Sequence, residues 1–493
     1  MSWELLDGRT ITLTSIVLFV AQLLGVLSML HAIRSVRTPQ GAIAWCVGLL
    51  TLPIVVVPLY WIFGRSRFFG YREALRRALR EQRGPATEYG NFLSRVVDPR
   101  KGVVLPLHEV ARVVGQNVTF GNRLEPLVDG DATFAELFAA IGRAEHYVLV
   151  QFYIIRDDSL GDEFAHLLMQ RAREGIQVRL LYDDIGCQWL PQRYLDALRD
   201  AGVMVCSFNT RERWRQRLQI NFRNHRKVLV VDGKVGFTGG LNIGDEYRGR
   251  SSDFRHWRDT HVRVTGPAVL GLQSAFSQDW FWGCHEILTD LRWNPHLEEP
   301  VAAIGICPED PSGQALVIPT GPADQFQQCA MMFCQMAAVA KRRLWIATPY
   351  LVPDDAVSVA LQSASRRGVE VVVLIPRNGD HWFTHLAGFH YAEQYSRLGI
   401  RVMRYERGFM HQKVILVDDQ IAAIGSTNLD QRSLHLNFEL MLASSDPQFL
   451  CRVQEMLETD LRRSQRVASD ELDKRSWLFR LGVGVTRLFA PIL

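Results

Sequence analysis

Two histidine–lysine pairs stand at the centre of a repeated sequence pattern. Each copy contributes one histidine, one lysine, one aspartate and one asparagine, namely His225, Lys227, Asp232 and Asn242, then His411, Lys413, Asp418 and Asn428. Both copies follow the spacing H-x-K-x4-D-x6-G-[GS]-x-N. A structural polar network would explain one copy equally well, but two copies with equal spacing indicate an internal duplication that carries chemistry.

The chemistry that this set suits is displacement at a phosphodiester. Two lysines can hold the non-bridging oxygens and stabilise the charge that develops in the transition state. A neutral imidazole can attack phosphorus, while a protonated imidazole opposite it gives a proton to the leaving oxygen. Histidine titrates near pH ~6.5, so one neutral and one charged histidine can coexist. We expect no metal and no cofactor, because two lysines and one imidazolium supply the positive charge.

The motif aspartates differ from the histidines and lysines in the direction they face. The sequences KVLVVD and KVILVD predict buried strands, and the histidine and lysine of each motif are two residues apart, so they share one face. Asp232 and Asp418 follow their lysines by five residues, an odd offset. They belong to the catalytic motif, yet we expect them to support it structurally from the opposite face.

Each imidazole also needs a carboxylate to orient it. Asp259 and Glu439 stand at comparable positions in the two repeats, each at the start of an apolar strand. We group them with Asn242 and Asn428 as residues that bind substrate or support the catalytic groups.

The elements around the motifs are duplicated too. YVLVQFYIIRDD (147–158) and LWIATPYLVPDD (344–355) each read as a buried strand followed by an acidic turn. Short Val/Ile/Leu runs between helical segments indicate an α/β class with helices on both faces of each sheet. Two such lobes can pack about a pseudo-two-fold axis, which would bring the two H-x-K pairs together. The predicted division is a transmembrane hairpin (1–63), a basic linker (64–105), a first lobe (106–295), a second lobe (296–465) and a C-terminal amphipathic segment (466–493).

Residues 11–33 and 41–63 predict two membrane-spanning helices. Each stretch is 23 residues long without Asp, Glu, Lys or Arg, and roughly 20 apolar residues span the hydrocarbon core. A cleaved signal peptide fits the first stretch poorly, since Glu4 and Asp7 precede it. The arginines after Phe63 predict cytoplasmic lobes, whereas Arg34 and Arg37 in the connecting loop favour the opposite orientation.

Composition and charge bear on which partners, metals and disulfides the chain can have. The net charge of +4 is too small to indicate nucleic-acid binding, and the eight scattered cysteines predict neither a zinc site nor disulfides. The basic stretch 211–217 suits either contact with anionic headgroups or an ordinary solvated loop. The last segment, RSWLFRLGVGVTRLFAPIL, fits either an interfacial amphipathic helix or a helix docked on the core.

These residues resemble the HKD motifs of the phospholipase D superfamily. The surrounding sequence is similar to bacterial cardiolipin synthases over nearly the whole chain, including R-T-P-Q-G-A-I-A-W, W-R-D-T-H and A-T-P-Y-L-V-P-D-D. The resemblance implies duplicated α/β/α phospholipase D-like lobes with one active site between them. It also implies an inner-membrane enzyme that converts two phosphatidylglycerol molecules into cardiolipin and glycerol through a phosphatidyl-histidine intermediate.

The resemblance implies a role for each motif residue. His225 would be the nucleophile and His411 the acid and base, while Asp259 and Glu439 match the carboxylates that orient them. One departure is Gly240, where the family more usually has serine and the second copy retains Ser426. That departure puts a phosphate-contacting role for this position in doubt.

Other functions stay open at this point. The same chemistry serves a phospholipase D hydrolase or a synthase that uses phosphatidylethanolamine as acceptor. A nuclease is disfavoured by the two apolar stretches and the lack of a lysine-rich surface, so the expected partners are anionic phospholipid and membrane rather than nucleic acid. A catalytically dead scaffold is opposed by two intact motifs. Monomer and homo-oligomer are both compatible with the sequence.

Overall fold

A computed structural model of the chain describes residues 8–65, 67–81, 106–209, 219, 221–250, 256–293 and 313–490. The chain divides into a small unit, which contains the first three helices, and a large unit, which begins at Gly70 and contains both sheets. Most of the predicted linker and the whole basic stretch 211–217 lie outside the described residues.

The small unit contains three apolar helices, α1 (Gly8–Ser35), α2 (Pro39–Thr51) and α3 (Pro53–Phe63). By length and composition, α1 is the helix of the described chain that can cross a membrane, over Leu13–Ser35. The prediction of one continuous second span is wrong. The helix breaks at Leu52, whose φ of −135° and ψ of 56° are not helical, because the ring of Pro53 disfavours helical backbone at the residue before it.

The three helices of this unit nonetheless pack on one another. The indole of Trp61 donates to Ser28 over 3.0 Å, and the Tyr60 hydroxyl lies 2.6 Å from Nδ1 of His31. Both contacts join α3 to α1. The expected apolar hairpin therefore exists in outline, with a returning arm made of two short helices.

The first lobe of the large unit is built on a seven-stranded sheet with the order β1-β9-β7-β6-β2-β3-β4. Strands β2, β3 and β4 are parallel, and the remaining neighbours are antiparallel. The strands of this lobe are β1 (Arg123–Val128), β2 (Tyr147–Phe152), β3 (Gln177–Tyr182), β4 (Met204–Ser207), β5 (Arg223–Asn224), β6 (Val228–Val231), β7 (Val235–Gly239), β8 (Trp257–Arg258) and β9 (Thr260–Thr265). Strands β5 and β8 lie outside the seven-stranded sheet.

The second lobe repeats this order as β10-β19-β17-β16-β11-β13-β14, with β20 added at the far edge. The identical order in both sheets confirms the duplication expected from the sequence. Its strands are β10 (Ala315–Thr320), β11 (Arg343–Ala347), β12 (Leu351–Val352), β13 (Glu370–Pro376), β14 (Arg401–Tyr405), β15 (Phe409–Met410), β16 (Val414–Val417), β17 (Ile421–Gly425), β18 (Leu429–Asp430), β19 (Asn437–Ser444) and β20 (Ser464–Arg466).

Helices cover the sheets, so the motif strands β6 and β16 are buried over their full length. Each lobe has its own hydrophobic core. The helix α5 (Pro106–Val114) lies within the predicted first lobe (106–295) but packs in the core of the second. The helices of the large unit are α4 (Tyr71–Glu81), α5 (Pro106–Val114), α6 (Asp129–Gly142), α7 (Ser159–Arg173), α8 (Gln192–Asp200), α9 (Ala268–Cys284), α10 (Gln328–Val339), α11 (Asp355–Arg366), α12 (Trp382–Arg397), α13 (Gln431–His435), α14 (Pro447–Arg462) and α15 (Trp477–Leu488).

Two short parallel pairings connect the lobes directly. Strand β5 of the first lobe pairs with the start of β19, and β15 of the second lobe pairs with β8. Each pairing joins the residues just before a motif histidine to the residues just before a carboxylate of the other lobe. The lobes therefore exchange strands at the point where the motifs begin.

One cysteine pair departs from the sequence-based expectation. Cys206 in β4 and Cys284 at the end of α9 form a disulfide with a Cα–Cα distance of 6.2 Å. The two residues are 78 positions apart, so their proximity follows from the packing of α9 against the sheet and has no local spacing signal.

Candidate active site

The two lobe-exchanging pairings place both motif histidines next to a strand of the opposite lobe. The backbone N–H of His225 donates to the carbonyl of Phe438 over 2.9 Å, and that of His411 donates to the carbonyl of Arg258 over 2.7 Å. Both histidines and both lysines lie in the residues directly before β6 and β16, rather than within those strands as the sequence pattern predicts. The next residue after each acceptor carbonyl is a carboxylate.

Each histidine pairs with the carboxylate from the other lobe. Nδ1 of His225 lies 2.9 Å from Oε2 of Glu439, and Nδ1 of His411 lies 2.8 Å from Oδ2 of Asp259. All four side chains are buried. Since each pair takes one residue from each lobe, the structure brings the candidate site together only when both lobes are present.

The two carboxylates are held in place by different means. Glu439 accepts hydrogen bonds from the hydroxyls of Ser426, over 2.5 Å, and Ser433, over 2.8 Å. Asp259 accepts from the backbone N–H of Thr260 over 2.8 Å. A Cβ atom at Gly240 would lie only 2.0 Å from Oδ1 of Asp259. The glycine that departs from the second copy therefore makes room for the Asp259 carboxylate, and the Ser426 hydroxyl at the equivalent position is committed to Glu439.

The two motif lysines are buried cations. The ammonium of Lys227 donates to the carbonyl of His225 over 2.8 Å, and that of Lys413 donates to the carbonyl of His411. Burial lowers the pKa of Lys227 to about 7 and that of Lys413 to about 8, although Glu439 and Asp259 oppose the fall. An anionic group between the lysines would favour their charged forms, so the site is suited to an anion.

The surroundings of the two histidines favour their neutral forms. Burial lowers the pKa of His225 to about 4; Glu439 opposes this shift and Lys227 adds to it. Burial, together with Lys413, also lowers the pKa of His411. Burial alone would raise the pKa of each partner carboxyl. The neighbouring lysines and histidines outweigh that effect and hold both carboxyl pKa values below their usual range. The site thus pairs neutral imidazoles with ionised carboxylates.

The motif aspartates lie outside this cluster. Asp232 accepts from the backbone N–H groups of Glu145, His146 and Tyr147, each over 2.8 Å. Asp418 likewise accepts from the backbone N–H groups of residues 341–343, over 2.7–2.9 Å. Both adopt left-handed backbone, with φ of 53° and 51°, which aspartate tolerates better than most residues. Each one fastens the end of its motif strand to the start of the neighbouring strand, β2 or β11.

The motif asparagines make local contacts. Asn242 accepts from the N–H of Ile154 over 3.2 Å and donates to the Tyr247 hydroxyl over 3.0 Å. Asn428 donates to Asp430 over 3.2 Å, while its buried carbonyl oxygen has no partner in the described part of the chain. The carbonyl oxygen of Asn428 is therefore an acceptor that the described residues leave unused.

Two buried ion pairs behind the motifs escaped the sequence analysis. Arg226, between His225 and Lys227, points away from them and binds Asp279 in α9 over 2.9 Å. In the second motif the residue equivalent to Arg226 is the uncharged Gln412. There the buried ion pair is formed instead by Arg258, which binds Asp460 in α14 over 2.7 Å. Arg226 is a signal that could have been noticed, since a charged residue in a buried motif requires a partner.

Aromatic side chains form the walls beside the histidines and also went unpredicted. The ring of Tyr153 lies 5.0 Å from that of His225, and the ring of Trp257 lies 5.2 Å from that of His411. Such walls displace water, which strengthens the charge interactions of the site. Among the described residues, no group of three or more His, Cys, Asp or Glu side chains is arranged to hold a metal ion.

Comparisons with known proteins find relatives over nearly the whole chain. The family model "Cardiolipin synthase, PLD-like domain" matches residues 137–280 and 333–461, and "Phospholipase_D-nuclease N-terminal" matches residues 17–65. A protein named cardiolipin synthase A from Pseudomonas fluorescens is 42% identical over 473 residues, which cover 95% of this chain and 96% of the relative. A protein of the same name from Pseudomonas aeruginosa is 43% identical, with 96% and 94% covered.

A solved structure shares the fold at low sequence identity. Phosphatidylserine synthase from Haemophilus influenzae superposes with a TM-score of 0.58 at 15% identity, covering 79% of this chain and all of that one. This likeness concerns the two-lobed architecture.

Proposed function

The chain belongs to the cardiolipin synthase family with phospholipase D-like domains, and from that membership we propose that it joins two phosphatidylglycerol molecules. One molecule donates its phosphatidyl group to the headgroup hydroxyl of the other, giving cardiolipin and free glycerol. The observation that carries the mechanism is the pair of crossed contacts, His225 with Glu439 and His411 with Asp259. They supply two oriented imidazoles beside two buried lysines.

In the first step, Nε2 of His225 attacks phosphorus and a P–N bond forms. The bond between phosphorus and the oxygen of the headgroup glycerol breaks, and His411 in its protonated form gives that oxygen its proton. Lys227 and Lys413 hold the non-bridging oxygens and stabilise the added negative charge. Bound phosphodiester brings negative charge next to His411, which favours its protonated form.

In the second step, the P–N bond breaks and His411 acts as the base. Glycerol leaves, and the headgroup hydroxyl of a second phosphatidylglycerol takes its place. His411, now neutral, accepts the proton of that hydroxyl as its oxygen attacks phosphorus. The P–N bond breaks, cardiolipin forms, and His225 returns to its neutral state. Confinement of both lipids to one membrane raises the effective concentration of the acceptor hydroxyl relative to a soluble alcohol.

The contacts of the two imidazoles support His225 as the nucleophile. In the described chain no side chain bonds to Nε2 of His225, whose Nδ1 is held by Glu439. Nε2 of His411 lies 3.1 Å from Nζ of Lys413. A nitrogen beside an ammonium is hindered as a nucleophile, whereas a free and oriented nitrogen is ready to attack.

We further propose that α1 anchors the enzyme in the bacterial inner membrane with both lobes in the cytoplasm. The basic residues Arg65, Arg67, Arg72 and Arg76 follow the apolar helices closely, and such clusters are retained on the cytoplasmic side. Protease protection of the lobes in intact spheroplasts, with degradation after permeabilisation, is the expected result. Degradation in intact spheroplasts would place the lobes outside.

Product analysis with defined vesicles tests the function. Purified full-length protein in phosphatidylglycerol vesicles containing EDTA should release one glycerol for each cardiolipin formed. Phosphatidic acid as the sole product would identify water as the acceptor and overturn the synthase assignment. Vesicles that also contain phosphatidylethanolamine distinguish the donors, since release of ethanolamine in place of glycerol would mark that lipid as the source of the phosphatidyl group. Loss of activity with EDTA would contradict the metal-free mechanism.

A further inference from the structure

The C-terminal helix α15 has two apolar sides. Its inner side docks on α12, with Val483 and Thr486 each only 2% exposed and the ring of Phe479 lying 5.2 Å from that of Phe389. This contact is the docked arrangement that the sequence left open. A helix that only docks on a core presents polar residues to the outside.

The outer side of α15 is apolar instead. Its exposed large side chains are Trp477 (66%), Leu478 (61%), Leu481 (56%), Val485 (45%) and Leu488 (77%). At ~100° per residue they fall within an arc of about 100° on the helix surface. They therefore form one continuous stripe on the side away from α12.

The stripe continues onto α12. Trp382, the first residue of that helix, is 64% exposed, and its neighbour Phe383 contacts Phe489 with ring centroids 5.8 Å apart. We call Trp382 and the five exposed residues of α15 the C-terminal apolar face. Contiguous apolar patches of this kind mark binding surfaces, because their exposure to water is unfavourable.

The charges around this face indicate what covers it. Lys474 and Arg475 pair with Asp470 and Glu471 just before α15. Residues 476–490, which include the whole helix, contain Arg480 and Arg487 and no acidic residue. Two copies of this segment would repel each other, whereas anionic phospholipid headgroups would attract it. We propose that the C-terminal apolar face inserts into the interface of an anionic lipid bilayer, with the tryptophans at headgroup level and the basic residues against lipid phosphates.

This placement would serve the reaction because the face is connected to His411. Trp382 lies two residues after Asp380, which accepts a hydrogen bond from the Tyr350 hydroxyl over 2.7 Å. The ring of Tyr350 lies 6.5 Å from that of His411. The loop that leads into Trp382 is thus linked to the proposed proton donor through Asp380 and Tyr350. The benefit to catalysis rests on the proposed function, but the membrane contact itself does not.

Fluorescence quenching tests the contact without using activity. Full-length protein is reconstituted in vesicles with brominated phosphatidylglycerol, and the quenched share of tryptophan emission is measured. Trp477→Phe should reduce that share, whereas Trp189→Phe, which removes a tryptophan that is 76% exposed elsewhere in the large unit, should not. Equal effects of the two substitutions would overturn the proposal.

Activity measurements separate this proposal from the proposed function. The double variant Leu481→Glu with Val485→Glu should lose about tenfold in cardiolipin formation from bilayer substrate. It should match the wild type on short-chain phosphatidylglycerol that is monomeric in solution, which shows that the fold is intact. Val359→Glu is the control, since Val359 is 62% exposed on α11, a helix that contributes no residue to the face.

Three other outcomes count against specific parts of the account. Equal bilayer activity of the double variant and Val359→Glu would overturn the membrane contact while leaving the synthase assignment intact. Wild-type protein that makes no cardiolipin would refute the proposed function, while the quenching result would still decide the contact. A wild-type dimer in detergent that the double variant converts to monomer would identify a second copy as the occupant and overturn the lipid assignment.

Discussion

His411 and Asp259 come from different lobes and lie 2.8 Å apart through Nδ1 and Oδ2. The contact between His225 and Glu439 mirrors it, at 2.9 Å. Each lobe therefore supplies a histidine to one pair and a carboxylate to the other. Neither lobe alone therefore contains a complete pair.

Removal of the Glu439 charge should disable His225. In Glu439→Gln the amide has the same shape but cannot stabilise a positive charge on the imidazole or fix its tautomer, so kcat should fall roughly a thousandfold. Because Glu439 opposes the fall in the pKa of His225, that pKa should drop further in the variant. Steady-state cardiolipin formation gives kcat. The control Glu455→Gln, at an exposed position on α14, should retain full activity, and comparable rates for both variants would contradict the role of Glu439.

The pH dependence of kcat/KM should reflect the shifted pKa values. Below about pH 4 the imidazole of His225 becomes protonated and cannot attack, so the acid limb should lie near its folded pKa of about 4 and not near the ordinary value of 6.5. On the alkaline side kcat/KM should fall first as the free enzyme loses the protonated form of His411, whose pKa is lowered by burial and by Lys413. It should fall further above about pH 7 to 8, where the two lysines lose their protons because burial has lowered their pKa values.

Arginine substitution provides the control for the alkaline limb. Arginine keeps its charge throughout this range, so Lys413→Arg should remove the further fall above about pH 8 that deprotonation of Lys413 causes, and should keep the earlier fall that belongs to His411. An unchanged fall above about pH 7 to 8 in both Lys413→Arg and Lys227→Arg would show that neither lysine causes it.

Introduction at position 240 of serine, the residue that the second copy has at the equivalent position 426, should impair the enzyme. The added Cβ would lie 2.0 Å from Oδ1 of Asp259, so the carboxylate must move and His411 loses its alignment. A displacement of this size costs about a hundredfold in rate. Ser426→Ala is the matched change in the second copy, and it removes one hydrogen bond to Glu439, for an expected loss of about tenfold. Wild-type activity in Gly240→Ser would contradict the packing argument.

The motif aspartates should affect stability more than catalysis. In Asp232→Asn the side chain still tolerates the left-handed backbone, but it loses the charge that accepts three backbone N–H groups. The free energy of unfolding should fall by about 1–3 kcal/mol. Thermal unfolding in detergent would show the loss, with kcat per folded molecule nearly unchanged. The same pattern is expected for Asp418→Asn, and a large fall in kcat with an unchanged midpoint would assign these residues to the chemistry.

Repetition made much of the fold predictable. The repeated strand patterns around residues 147 and 344 indicated two equivalent lobes, and the two sheets share one strand order. The crossing of the pairs could not be inferred, because Asp259 and Glu439 follow the motif histidines of their own lobes at similar distances in sequence. The choice between pairing within a lobe and pairing across lobes depends on β5 and β15, each only two residues long.

Other features lacked a local signal altogether. The hydropathy of residues 41–63 predicted one continuous helix, because it contains no signal for the break at Leu52. The ring of Pro53 ends the helix there. Asp279 and Asp460 are far in sequence from the cations they neutralise, so only the packed helices α9 and α14 reveal them. The role of Gly240 could not be predicted either, because the carboxylate that leaves no room for a side chain there, that of Asp259, is 19 residues away in sequence.

The most direct test of the account traps the covalent intermediate with a phosphatidyl donor that carries a nitrophenol leaving group. Nitrophenol needs no proton from His411, so His411→Asn should still release one nitrophenol per active site and accumulate a phosphatidyl adduct. Mass spectrometry should locate that adduct on His225. His225→Asn should give neither the stoichiometric release of nitrophenol nor the phosphatidyl adduct. An adduct on His411 in His225→Asn, together with none in His411→Asn, would contradict the assignment of His225 as the nucleophile.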